Sequence, residues 1–156
     1  EASGLPVRVL SGGGSGSYDI TGIMDGVDEV QAGSYALMDH YYAKRRPEFA
    51  IALSVLTTVI SSNGSDHAVL DVGVKGVGAE FGPPVLADRP EDVIPRFESE
   101  EHTSVKVGGR PLKVGDRVRL IPSHVCTTCN LHRRIFAVRD GMVEDVWEIE
   151  GSGCLE

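Results

Sequence analysis

The chain holds 156 residues, 41% of them hydrophobic and 24% charged, a balance suited to one domain with a real core and too short for two large ones. Its 15 Lys and Arg stand against 23 Asp and Glu for a net charge of -8, which disfavours attraction to phosphate backbones and sets nucleic acid aside as a partner. The longest apolar-rich run, residues 49–60, is broken by Ser54, Thr57 and Thr58 and falls well short of the roughly 20 residues a membrane helix needs.

In chain order, residues 5–11 place Val7, Val9 and Leu10 between Pro6 and a glycine cluster, the pattern of a short buried strand. The run Ser11-Gly12-Gly13-Gly14-Ser15-Gly16-Ser17-Tyr18 follows. Its backbone is free to take positive φ and to present several N–H groups together, which is how a loop cradles phosphate. Gly/Ser composition alone equally describes a flexible linker, and both readings stay open on the residues. After Asp25-Gly26, residues 34–42 read as a strand, as do residues 49–61 and 67–74. Asn63-Gly64 between the last two is a hairpin signal. Residues 73–95 carry much of the glycine and proline and read as loop. Strands resume at residues 103–107 and 117–121, the second with Val118 and Leu120 alternating against Arg117 and Arg119. Residues 134–139 and 142–149 flank Asp140-Gly141, a second hairpin. The expected fold is mainly β, a small antiparallel barrel-like domain.

The richest ligand chemistry lies in Ile121-Pro122-Ser123-His124-Val125-Cys126-Thr127-Thr128-Cys129-Asn130-Leu131-His132. Thiolate and neutral imidazole are the groups that hold zinc and similar borderline metals. Pro122 ends the preceding strand. If the chain stays extended beyond it, His124 and Cys126 point to one side with period two. Cys126 and Cys129 also form a Cys-x-x-Cys, readable as half of a structural zinc site or as a redox pair, and His132 could complete four ligands. A closed structural site usually draws on a second cluster, which the sequence lacks. An open metal site at His124 and Cys126 is therefore preferred over a closed knot or merely packed side chains. Glu1-Ala2-Ser3-Gly4 shows no basic region followed by an apolar one, so no secretory leader is expected. With the mixed Cys/His loop this fits a reducing, cytoplasmic setting. Asn63-Gly64-Ser65 is then a turn rather than a glycosylation acceptor, and Leu155-Glu156 reads as an expression remnant.

Taken together, Ser11 through Tyr18, Gln31-Ala32-Gly33-Ser34-Tyr35-Ala36-Leu37-Met38-Asp39, Asp71-Val72-Gly73-Val74-Lys75, Glu100-Glu101-His102, Val114-Gly115-Asp116-Arg117-Val118, Pro122 through Cys126 and Asn130-Leu131-His132 form an ordered set over nearly the whole chain. In that set the sequence resembles the C-terminal portion of the D-threonine aldolase and D-serine dehydratase family. These are alanine-racemase-like, fold-type III pyridoxal-phosphate enzymes with a (β/α)8 barrel followed by a β domain. The resemblance implies that residues 1–25 are a remnant of that barrel, its last strand and phosphate loop, and that residues 26–156 are the β domain. It implies that Gly12, Gly13, Gly14 and Ser15 hold the cofactor phosphate. It further implies that His124 and Cys126 match the family's His-x-Cys metal pair, with a thiolate favouring zinc, and that Cys129 and His132 are not ligands. The implied substrate is a D-3-hydroxy amino acid, the implied assembly a homodimer.

A barrel of this type needs roughly 250 residues, so the barrel and its Schiff-base lysine are expected to be missing. Lys75 does not take that role, and the chain alone is expected to be inactive. The alternatives are a non-catalytic β-barrel binding module, which would hold neither metal nor phosphate, and a structural zinc module, which would unfold on chelation.

Overall fold

The computed structural model describes residue 4 and residues 6–97 and 99–154. The architecture is mainly β, a curled antiparallel sheet forming a half-barrel. Its strands are β3 (Val55–Ser62), β4 (His67–Leu70), β5 (Val85–Leu86), β6 (Thr103–Lys106) and β7 (Arg117–Ile121), in the order β5-β7-β3-β4-β6. Alternation places one face inside: Val118 and Leu120 of β7 are buried while Arg117 and Arg119 face water. Thr103 and Val105 of β6, and Ala68 and Leu70 of β4, repeat the pattern. Val59, Val77 and Ile94 close the same core. Each fully buried aliphatic side chain stabilises the fold by about 1.5–3 kcal/mol.

The Asn63-Gly64 hairpin joins β3 to β4 as expected, with the register Ser62↔Ala68. The second hairpin pairs β8 (Arg134–Arg139) with β9 (Met142–Glu148). Its turn has φ of 49° at Asp140 and 78° at Gly141, the doubly left-handed backbone that Asp-Gly supplies most readily. This hairpin stands apart from the five-stranded sheet and leaves Phe136 and Trp147 more than half exposed.

Three expectations need correction. Residues 34–42 are not a strand but a 3-10 turn (Ser34–Ala36) and a short helix α2 (His40–Ala43); helix α1 (Tyr18–Thr21) precedes them. Their aromatic and aliphatic content mimics a strand, but Asp39 caps α2, its Oδ1 accepting from the Tyr42 amide at 2.7 Å. Met38, fully buried, takes φ 55° to turn the chain into that cap. Secondly, β3 begins at Val55 rather than at residue 49. Thirdly, the expected buried strand over residues 5–11 is paired only at β1 (Ser11–Gly12), parallel to β2 (Glu29–Val30). Val7, Val9 and Leu10 are each more than half exposed. Leu5, and the terminal pair Leu155 and Glu156, lie outside the described residues. No helix among the described residues is long and apolar enough to cross a membrane.

One loop clamp carries a pH signature. The Asp92 carboxylate receives the Arg89 guanidinium and the amides of Gly108, at 2.9 Å, and Gly109, at 3.2 Å. Burial pushes its pKa up, but Arg89 and the two amides outweigh that and hold it below the ordinary carboxylate value. A depressed folded pKa stabilises above the unfolded value of about 3.9, and the contribution is lost as pH falls through the folded value. Asp92→Asn should therefore flatten the fall in urea midpoint below about pH 4. An acid limb as steep as that of the parent chain would exclude Asp92 as its source.

Candidate functional site

The segment after β7 does not stay extended. Pro122 and Ser123 are fully buried, and Ser123 Oγ accepts from the Phe81 amide at 3.3 Å. His124 keeps extended φ and ψ as the residue before helix α3 (Val125–Asn130). The helix is fastened by Val125, buried in its first turn, and by Thr128. Thr128 Oγ1 donates to the His124 carbonyl at 2.8 Å and accepts from the Gly78 amide at 3.0 Å. The period-two argument for His124 and Cys126 thus fails, because the second residue lies within a helical turn.

His124 is instead aimed by Asp39. That carboxylate is fully buried. Its Oδ2 receives the His124 Nδ1 donor and the Val125 amide, each at 3.2 Å. Fixing the proton on Nδ1 leaves Nε2 with its lone pair outward, the arrangement in which a carboxylate orients a metal-binding imidazole. The ring packs beside Phe81, centroids 5.1 Å apart, and Tyr42, 5.8 Å. Asp39 lies 85 positions from His124, a separation at which no local sequence pattern signals a contact.

Cys126 is exposed, and its Sγ is 3.9 Å from Ser34 Oγ. It opens, with Cys129, onto a cavity of about 370 Å³ also lined by Gln31, Gly33, Ser34, Leu37 and Val125. Burial, and to a lesser degree the neighbouring Cys126, pushes the Cys129 thiol up. His132 is committed elsewhere: its Nε2 meets the Gly76 carbonyl at 2.7 Å. Among the described residues no group of three or more His, Cys, Asp or Glu side chains is disposed to hold a metal ion, so the four-ligand knot is not assembled. Lys75 points into solvent and pairs with Glu101 at 3.0 Å.

The glycine loop lies across the segment that holds these groups. Gly13 has φ 71°, and a Cβ there would fall 2.6 Å from Thr21 Oγ1, so glycine is needed on both counts. Ser15 is buried, and its Oγ accepts from the Tyr35 amide at 2.9 Å. The Gly14 amide is engaged by Ser17 Oγ at 3.3 Å. Among the described residues the amides of Gly13, Ser15 and Gly16 have no protein acceptor, which leaves donors for an anion. Residues 34–42 link both features. Tyr35 binds Ser15, Ser34 touches Cys126, Asp39 holds His124, and Tyr42 lies against both Gly16 and His124. The candidate phosphate cradle and the candidate metal pair therefore flank one short connector.

Such a molecule, a curled β domain with a glycine loop and a His/Cys helix on one connector, has clear relatives. The chain belongs to the family described as "Putative serine dehydratase domain", whose profile matches residues 52–138, the group of D-threonine aldolase and D-serine dehydratase relatives. It is 40% identical over 157 residues to a D-threonine aldolase of Arthrobacter sp., covering 97% of this chain and 41% of that protein. The crystal structure of D-threonine aldolase from Filomicrobium marinum superposes with a TM-score of 0.89 at 32% identity, over 99% of this chain and 44% of that one. D-threo-3-hydroxyaspartate dehydratase from Delftia sp. HT23 gives 0.76 at 28% identity, over 94% and 45%. A cysteine-to-alanine mutant of a D-threo-3-hydroxyaspartate dehydratase is also similar, solved in the metal-free form. The chain spans less than half the length of each of these relatives.

Proposed function

We propose that this chain is part of a pyridoxal-phosphate- and metal-dependent lyase acting on D-3-hydroxy amino acids, a dehydratase or aldolase of the D-serine and D-threonine type. In this reading residues 1–25 are the closing strand and phosphate loop of the cofactor barrel and residues 26–156 its β domain. The parallel pairing of β1 with β2, which crosses that boundary, supports the reading of β1 as the end of a parallel barrel strand. So do the exposed Val7, Val9 and Leu10, since strands of parallel sheets are covered on both faces when their neighbours are present. The partners are the rest of the barrel with its Schiff-base lysine and a second copy of the chain, in a cytoplasmic homodimer. The observation that carries the reading is the connector of residues 34–42, which ties Ser15 to His124 and Cys126.

When bound, pyridoxal phosphate supplies the electron sink, and zinc the Lewis acid for the substrate's 3-hydroxyl. The chain's own residues bind and orient. Gly12, Gly13, Gly14 and Ser15 form the phosphate cradle, in which the Gly13 and Ser15 amides are donors. The fixed turn at Gly13 means that little backbone order is lost on binding. His124, held by Asp39, presents Nε2, and Cys126 presents a thiolate from the rim of the cavity. Val125 and Leu37 give the same cavity an apolar side.

Metal analysis of single variants tests the ligand assignment. Cys126→Ser should lose most of the zinc that the parent chain retains after dialysis, and Cys129→Ser should keep it; equal loss from both would count against a two-ligand site. A second measurement tests the missing lysine. The chain treated with pyridoxal phosphate and borohydride should show no adduct at a defined lysine, and stoichiometric labelling of Lys75 would reverse that assignment. The complete gene product, assayed on D-serine beside D-threonine, then separates elimination from carbon–carbon cleavage.

A further inference from the structure

We infer that Cys126 and Cys129 form a thiol oxidation site, closing a reversible disulfide when a small peroxide enters the cavity they share. The two residues lie three positions apart within α3. Helix geometry puts such Cα atoms about 5 Å apart with their side chains on one face. That separation falls inside the Cα range of about 4.4–6.8 Å found in disulfides, and closing the bond requires α3 to draw the two Cβ atoms from the helical spacing of about 5–6 Å to about 4 Å. Both side chains line the one cavity between α3 and residues 31–37, so an oxidant reaching one sulfur has the other beside it.

Their burial divides the labour. Cys126 is exposed and meets the oxidant, while the half-buried Cys129 is less accessible from solvent. The Cys126 thiolate attacks one peroxide oxygen, the O–O bond breaks, and the departing hydroxide leaves as water, giving a sulfenic acid. Cys129 sulfur then attacks Cys126 Sγ. The S–S bond forms, the S–O bond breaks, and the hydroxide carries away the Cys129 proton as a second water. Two thiols are oxidised by two electrons, and one hydrogen peroxide is reduced to two waters. A dithiol reductant reverses the bond. The third cysteine, Cys154, is exposed and sits in a turn held to the end of α3 through Ser152 and Gly153, which donate to the Asn130 carbonyl and side-chain oxygen. It is the natural control.

The consequence rests on the reading of Cys126 as a metal ligand: an S–S bond removes its thiolate, so oxidation and zinc exclude one another. The test is peptide mapping by mass spectrometry of the zinc-free chain after stoichiometric hydrogen peroxide. The expected result is loss of two hydrogens from the peptide holding both cysteines, with neither sulfur alkylated until dithiothreitol is added. Cys129→Ser and Cys129→Ala should instead give a dimedone-trapped sulfenic acid at Cys126, and Cys154→Ser should behave as the parent. Independent alkylation of both cysteines after peroxide, or a bond to Cys154 in their place, overturns the proposal. Repeating the reaction with zinc bound separates the two readings. Protection upholds both, and a disulfide formed as fast with zinc as without upholds the oxidation site while removing Cys126 from the metal site.

Discussion

Asp39→Asn should weaken zinc binding by about 10- to 100-fold, the range usual for loss of a carboxylate behind a metal-binding histidine, while the sheet stays folded. The wild-type carboxylate accepts three donors, Tyr42 N, His124 Nδ1 and Val125 N, and a carboxylate can do so because it has no proton of its own to place. An amide has one acceptor oxygen and one donor nitrogen, so in either orientation a buried N–H faces another donor. With the nitrogen toward His124, Nδ1 must become an acceptor. The proton moves to Nε2, the atom needed for the metal, and imidazole can no longer ligate without losing it. With the oxygen toward His124, the Tyr42 amide loses its cap. Each mismatch of this kind costs about 1–3 kcal/mol. Isothermal titration with zinc, set beside far-UV circular dichroism, reads affinity and fold separately. Zinc affinity unchanged in a folded Asp39→Asn chain would show that Asp39 only staples α2 to α3.

The contrast between what could and could not be read ahead follows from range. The strand Arg117–Ile121 and both hairpins were legible because alternation and the Asn-Gly and Asp-Gly turns are local signals. The glycine loop and the His-x-Cys pair were legible as chemistry, yet their relation was not. Residues 34–42 look like a strand by composition, and only a buried Met38 with positive φ and the Asp39 cap turn them into a connector. That connector brings Ser15, Cys126 and His124 to one segment. Helix α3 was hidden for a related reason. Thr127, Thr128 and Asn130 are weak helix formers, and the helix leans on a tertiary bond, from the Gly78 amide to Thr128 Oγ1, and on the burial of Val125 and Thr128.

Leu120→Ala should be among the most destabilising single truncations of the sheet, costing about 2–5 kcal/mol in urea unfolding. Leu120 is fully buried in β7, the strand lying between β5 and β3, and it pairs directly with Val55 and Leu86. A cavity there has paired strands on both sides, so the walls can relax little. Phe136→Ala makes the comparison: the larger side chain is more than half exposed on the separate β8–β9 hairpin, and its loss should cost the chain less than about 1 kcal/mol. The same experiment separates fold from site. A ligand stabilises by an amount set by its concentration over its dissociation constant, whatever the starting stability. Saturating zinc should therefore raise the urea midpoint of Leu120→Ala by as much free energy as it raises the parent, because His124, Asp39 and Cys126 are untouched. In Asp39→Asn the same zinc should add less while the starting stability falls only modestly. A zinc increment lost in Leu120→Ala with α3 still helical would show that the end of β7, through Pro122 and Ser123, sets the ligand geometry directly.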